Sequence, residues 1–135
     1  MTVENAAEFN REVMAFAQTL TPKKFELFFK KIALEALSRL VQITPVDTGR
    51  ARGNWQLTIN YPADWEIDTV DKPGARTIAV GRNRLAQMSN HGLGQVVFIS
   101  NNVDYIEELD EGRGSSQAPR GIVQPVLNEL TQMFR

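Results

Sequence analysis

The segment from Thr21 to Pro45 constrains the fold most. Phe25, Phe28, Phe29, Ile32, Ala33, Leu37, Leu40 and Val41 recur at spacings of three and four, which is one broad face of a helix. Thr21 is a good N-cap, and Pro22 is well tolerated at the first helical position. Pro45 disfavours helical backbone at Thr44, so the helix should end near Ile43. Lys23, Lys24, Lys30, Lys31 and Glu35 mostly lie off the stripe. They read as a solvated face rather than a basic surface for DNA or membrane. An earlier helix is expected from Ala6, Phe9, Val13, Phe16, Ala17 and Leu20, with Thr2 as its cap and Glu4 in its first turn. Residues 1–43 are thus predicted to be a helical hairpin or a pair of long helices.

Pro45-Val-Asp-Thr-Gly-Arg-Ala-Arg-Gly-Asn-Trp55 follows. Asp47-Thr48-Gly49 is turn chemistry, in which Asp47 can accept the N–H two residues on and Gly49 can take positive φ. Arg50 and Arg52 are two apart and share a side if the chain is extended here. They suit carboxylates of this fold or of a neighbouring subunit, by bidentate bonds. A phosphate loop is a weak reading, because no Gly-Lys-Ser/Thr accompanies them. A third reading is a plain turn with solvated arginines.

Trp55, Leu57, Ile59 and Tyr61 alternate with Gln56, Thr58 and Asn60, the pattern of a half-buried strand that Pro62 ends. Residues 62–76 read as a long connection and Thr77–Gly81 as a second short strand. Residues 82–94 read as a polar loop, with His91 a plain loop residue. Gln95-Val-Val-Phe-Ile-Ser100 is a continuous apolar run, expected as a central strand covered on both faces. Strands with long loops therefore fill residues 44–101, in an antiparallel or mixed sheet of three to four strands.

Asp104, Glu107, Glu108 and Glu111 stand at i, i+3, i+4 and i+7, so a short helix gathers them on one face. Tyr105, Ile106 and Leu109 are expected to pack inward. The acids can be read as catalytic carboxylates, as in a metal-dependent nuclease using Asp104, Glu107 and Glu108. Against this, Glu107 and Glu108 are adjacent and diverge. Calcium binding is a second reading, but the Asp-x-Asp-x-Asp-Gly loop pattern is missing. A third is a face for a basic partner, of which Arg50 and Arg52 are candidates, and a fourth is a solvated acidic turn. Gly112 to Pro119 reads as a flexible hinge. Ile122, Val123, Val126, Leu127, Leu130 and Phe134 then make a C-terminal amphipathic helix, in which Pro125 is tolerable if the helix begins near Gly121 and makes a kink if it begins at Pro119. This helix and the acidic helix should pack on one face of the sheet. The whole reading is one α+β domain over residues 1–135.

Composition removes several function classes. The chain has no cysteine, so neither a disulfide framework nor a zinc–thiolate site can form. A formal net charge of −1 argues against a protein whose task is to coat nucleic acid. No apolar run approaches the roughly 20 residues of a membrane span. The acidic start Met1-Thr-Val-Glu4 does not resemble a secretory signal.

Two segments together resemble a family of small neck and tail-completion proteins of long-tailed phages and prophages, similar to minor tail protein Z. Pro45-Val-Asp-Thr-Gly-Arg50 with Arg52 and Trp55 resembles the family's Pro-Val-Asp-Thr-Gly-Arg-Leu-Arg signature. Ser100-Asn-Asn-Val-Asp-Tyr-Ile-Glu-Glu-Leu109 with Gly112, followed by Ser116-Gln-Ala-Pro119, resembles its second and third signatures. Ala51 stands where the family often has leucine, and Ile106 where alanine is common. The resemblance implies assembly rather than catalysis, with no cofactor and no metal. It implies a ring, a hexamer, at the head–tail junction or the head-proximal end of the tail. DNA would pass through the lumen without specific binding. The expected partners are other copies of the chain, a connector or head-completion protein, and a tail terminator or tail-tube protein. The place would be the virion, after assembly in the host cytoplasm. Interface residues are then expected at Asp47, Arg50, Arg52, Asp104, Glu107, Glu108, Arg113 and Gln117. Two other readings stay open: the nuclease already named, and a generic binding module that captures a partner with loops 62–76 and 82–94.

Overall fold

In the computed structural model, which describes residues 6–113 and 115–133, helix α2 spans Pro22–Ile43, the range its sequence signals predict. Thr21 accepts the N–H of Lys24 at 3.3 Å, and Thr44 turns to extended backbone before Pro45. Leu37 and Val41 lose all contact with solvent. Burial of such side chains stabilises by about 1.5–3 kcal/mol each relative to exposure. Helix α1 (Ala6–Ala17) precedes α2, and Phe9 packs against the core. The expected cap at Thr2 with Glu4, and the last apolar position Phe134, lie outside the described residues, as does Gly114.

The chain is α+β. Among the described residues it has six α-helices and one antiparallel pair of strands. A helical turn α3 (Arg50–Gly53) leads into β1 (Gln56–Ile59), which pairs with β2 (Val97–Ser100) so that Leu57 faces Ile99. The sheet of three to four strands is therefore corrected to two. Val97–Ser100 is not a central strand either, since it has one neighbour and stays half-buried. Trp55 and Leu57 are buried as expected. The alternation fails at Gln56, which is buried and donates to the Trp65 carbonyl, and again at the end, where Asn60 takes a left-handed φ of 72° and Tyr61 is left 78 % exposed. Asn60 closes the ribbon by exchanging two hydrogen bonds with the backbone of Val96.

Residues 77–81 are helical, not a strand. They belong to α4 (Ala75–Ala86), which takes in part of the expected loop 82–94. Its buried positions are Thr77, Gly81 and Leu85, four apart. A Cβ at Gly81 would overlap the Leu37 side chain, so this glycine lets α4 lie close on α2.

Asp71 starts α4 from outside the helix. One of its carboxylate oxygens accepts the Gly74 N–H at 3.1 Å. The other accepts the Thr77 N–H at 2.8 Å and the Thr77 hydroxyl at 2.7 Å. Burial opposes ionisation of Asp71, but the Thr77 and Gly74 hydrogen bonds outweigh it and hold its pKa below the ordinary 3.8. The stability this carboxylate contributes is present above that ordinary value. It is lost as pH falls through the lower folded value. Denaturant titrations across pH 5 to 2 should show this loss in the native chain. Asp71→Ala should remove that component and cost about 2 kcal/mol at neutral pH, through donors left unpaired.

The remaining elements are a 3-10 turn at Asn90–Gly92, helix α5 (Ile106–Asp110) and helix α6 (Val123–Gln132). His91 is more than a plain loop residue: its Nδ1 lies 2.9 Å from a Glu26 carboxylate oxygen, which ties the turn to α2. Helix α6 packs on α1 and α2, and Arg39 joins it through Glu129. Pro125 falls in the first turn of α6, where it displaces no hydrogen bond.

Candidate functional site: one groove between the two signature segments

The two signature segments lie about fifty residues apart in the chain, and the fold places them against each other. The turn 45–49, the start of α3, helix α5 and the loop 113–117 line a groove of about 590 Å³. Gln117 closes it. Its amide accepts the Val46 N–H at 2.9 Å and donates to the Val46 carbonyl at 3.0 Å, so one side chain satisfies both backbone groups of one residue. The segment expected as a flexible hinge is thus tethered to the first signature. Gln117→Ala should leave global stability within about 1 kcal/mol, because the pair is exposed. It should speed cleavage between Gly112 and Pro119 in limited proteolysis several-fold.

The turn itself is built by Thr48 rather than Asp47. The Thr48 hydroxyl accepts the Arg50 N–H at 3.2 Å, while Asp47 stands exposed on the groove wall. Gly49 has a φ of 93°, and its carbonyl accepts from both Gly53 and Asp71 at 2.9 Å.

Arg50 and Arg52 do not act as a pair. Because this stretch is helical, residues two apart diverge. Arg50 binds Glu66 at 2.9 Å and Asp68 at 3.0 Å, and Glu66 foremost, then Asp68, hold its pKa above the ordinary value. Arg52 turns away from the groove. It donates to the carbonyls of Gln42, Thr44 and Lys72 at 3.0, 2.8 and 2.7 Å, which satisfies the open C-terminal end of α2. Arg52 is therefore a structural cap, and neither arginine meets Asp104, Glu107 or Glu108 of its own chain.

In α5, Ile106 and Leu109 are buried, as expected. Tyr105 is not: it is 41 % exposed and lines the groove beside Glu108. Asp104, Glu107 and Glu108 are exposed, and their carboxylates make no hydrogen bond or ion pair among the described residues. Arg113 lines the groove and pairs with Glu111. The groove thus gathers Asp47, Arg50, Glu108, Arg113 and Gln117 and leaves out Arg52, Asp104 and Glu107. No group of three or more His, Asp or Glu side chains among the described residues is placed to hold a metal ion. No helix of the described residues is long and apolar enough to cross a membrane.

Four residues that hold the site were missed by the sequence reading. Asn101, buried after β2, donates to the Ala51 carbonyl at 2.8 Å and so fixes α3. Asn102 donates to Ala63 and Trp65 at 2.8 and 3.2 Å. Asp110 accepts the N–H groups of Ile122 and Val123 at 3.1 and 2.8 Å and caps α6 across the loop. Gly121, at φ 84°, lets the chain pass against the Asp110 carbonyl, where a Cβ would overlap it. The asparagine doublet straight after an apolar run was the available signal.

No family model matches the chain, and neither a curated protein nor a solved structure matches it. The resemblance therefore rests on the quoted residues alone.

Proposed function

We propose that the chain is a structural virion protein of the neck or head-proximal tail end of a long-tailed phage, assembled in the host cytoplasm, and not an enzyme. In this reading copies of it close into a ring, a hexamer, on a connector or head-completion protein. The ring meets a tail terminator or tail-tube protein, and DNA passes through its lumen. One observation carries the proposal: the segments of the family resemblance converge on one groove, held by the Gln117 grip on Val46. The unpartnered carboxylates of α5 stand beside this groove, as suits a face completed by a neighbour. A formal net charge of −1 suits a lumen that must release DNA, since retention needs phosphate neutralisation.

The test is light scattering with negative-stain microscopy of the purified chain, alone and with connector and tail-tube proteins. Closed rings, alone or on a partner, are the expected result. A strict monomer that binds none of these proteins would contradict the proposal.

A further inference from the structure

A second groove, of about 220 Å³, shares no lining residue with the first. Its wall comes from the extended segment 65–69, whose side chains alternate. Trp65, Ile67 and Thr69 line the groove with Arg76, Val80 and Arg84 of α4. Glu66 and Asp68, the residues between them, bind Arg50 instead. Arg50 thereby draws both acids away from this face.

What remains is an apolar floor edged by two guanidinium groups. Trp65 is 55 % and Val80 45 % exposed, a large apolar area for a surface to show. Arg76 donates no hydrogen bond among the described residues, though its charge also acts on Asp71 at the start of α4, and Arg84 gives one nitrogen to the Leu57 carbonyl at 2.9 Å. Most of their donors remain available to carboxylates, which they match in planar, bidentate geometry.

The complementary surface is on the same chain. Residues 104–108, at the start of α5, expose the Tyr105 ring and Glu108 on the wall of the first groove and Asp104 and Glu107 outside it, and none of these three carboxylates has a partner among the described residues. We infer that the acidic face of α5 in one copy seats in the Trp65–Arg76–Val80–Arg84 groove of the next. Tyr105 then covers Trp65 and Val80, and the carboxylates meet Arg76 and Arg84. Two different patches on each subunit make a head-to-tail contact, the kind that closes into rings. The partner is thus a second copy of this chain, and the inference rests on the ring reading given above. It replaces the expectation that Arg50 and Arg52 supply the basic half.

Sedimentation of the full chain at low and high salt, with two charge reversals, tests it. Glu107→Arg with Glu108→Arg, and Arg76→Glu with Arg84→Glu, should each weaken self-association about tenfold or more. An equimolar mixture of the two should associate again, because each carries the complement of the other. Recovery on mixing is a result that misfolding does not give. Arg76→Gln alone keeps the Arg84–Leu57 bond, adds no negative charge beside Asp71, and should weaken association in the same direction by less. If rings persist unchanged in both variants, or the mixture stays apart, this contact is wrong while the ring reading stands. If the unmodified chain is monomeric at every concentration and binds neither connector nor tail-tube protein, both are wrong.

Discussion

Replacing Gly49 by alanine should destabilise the chain by about 3 kcal/mol and lower its thermal midpoint by on the order of 10 °C. Two separate penalties add. An alanine at φ 93° pays the left-handed cost of about 1–2 kcal/mol. Its Cβ would also lie 2.7 Å from the Lys72 nitrogen and 2.9 Å from the Asp71 nitrogen, and these are backbone atoms that no rotamer change can move. Relief of that overlap shifts the Gly49 carbonyl, which holds Gly53 and Asp71 together. Asp71 in turn starts α4, so the damage reaches the second groove as well. Calorimetry on Gly49→Ala beside Gln117→Ala separates this from the groove tether: the first should shift the midpoint strongly and the second little.

Trp55→Ala should cost about 3–5 kcal/mol, the range for deleting a buried aromatic. Trp55 is 4 % exposed, and its Nε1–H donates at 2.8 Å to the hydroxyl of Thr44, itself fully buried. That hydroxyl donates to the Leu40 carbonyl, so α2 and β1 are joined by a hydrogen-bond chain inside the core. Trp55→Phe keeps most of the apolar contact and should cost less, about 1–3 kcal/mol, mainly because Thr44 loses its donor. Urea unfolding of both variants checks the order. Equal losses would mean that the hydrogen bond contributes nothing beyond the ring.

How much of this was legible follows from where each signal resides. Both ends of α2 could be read because Thr21-Pro22 and Thr44-Pro45 act locally. The strand expected over Trp55–Tyr61 and the acidic helix were legible by period, though the strand is shorter, Gln56–Ile59; of the two placements left open for Pro125, the structure has the tolerable one, in the first turn of α6. Helix α4 was not readable. Thr77-Ile-Ala-Val80 has the β-branched content of a strand, and its buried positions are a threonine, a glycine and a leucine, so the four-residue period does not show as hydrophobicity. What decides the segment is tertiary: Asp71 caps it from outside, and Leu37 accepts Gly81 at close range.

The site shows the same division. The convergence of the two segments on one groove was not legible, since no local signal says that Gln117 will find Val46. Arg50 and Arg52 were misread as a pair because a spacing of two aligns side chains only in extended backbone, and this stretch is helical. Tyr105 was expected inside because a helix through it would put it on the face opposite the acids, yet α5 begins only at Ile106, turns Ile106 and Leu109 inward and leaves Tyr105 on the groove wall.

The central claim is that the chain is a structural part of the phage neck. Gold labelling of purified virions with antibodies against the chain, viewed by electron microscopy, tests it most directly. The account predicts label confined to the head–tail junction, at several copies per particle. Virions without label, from a preparation whose infected cells contain the protein, would contradict it.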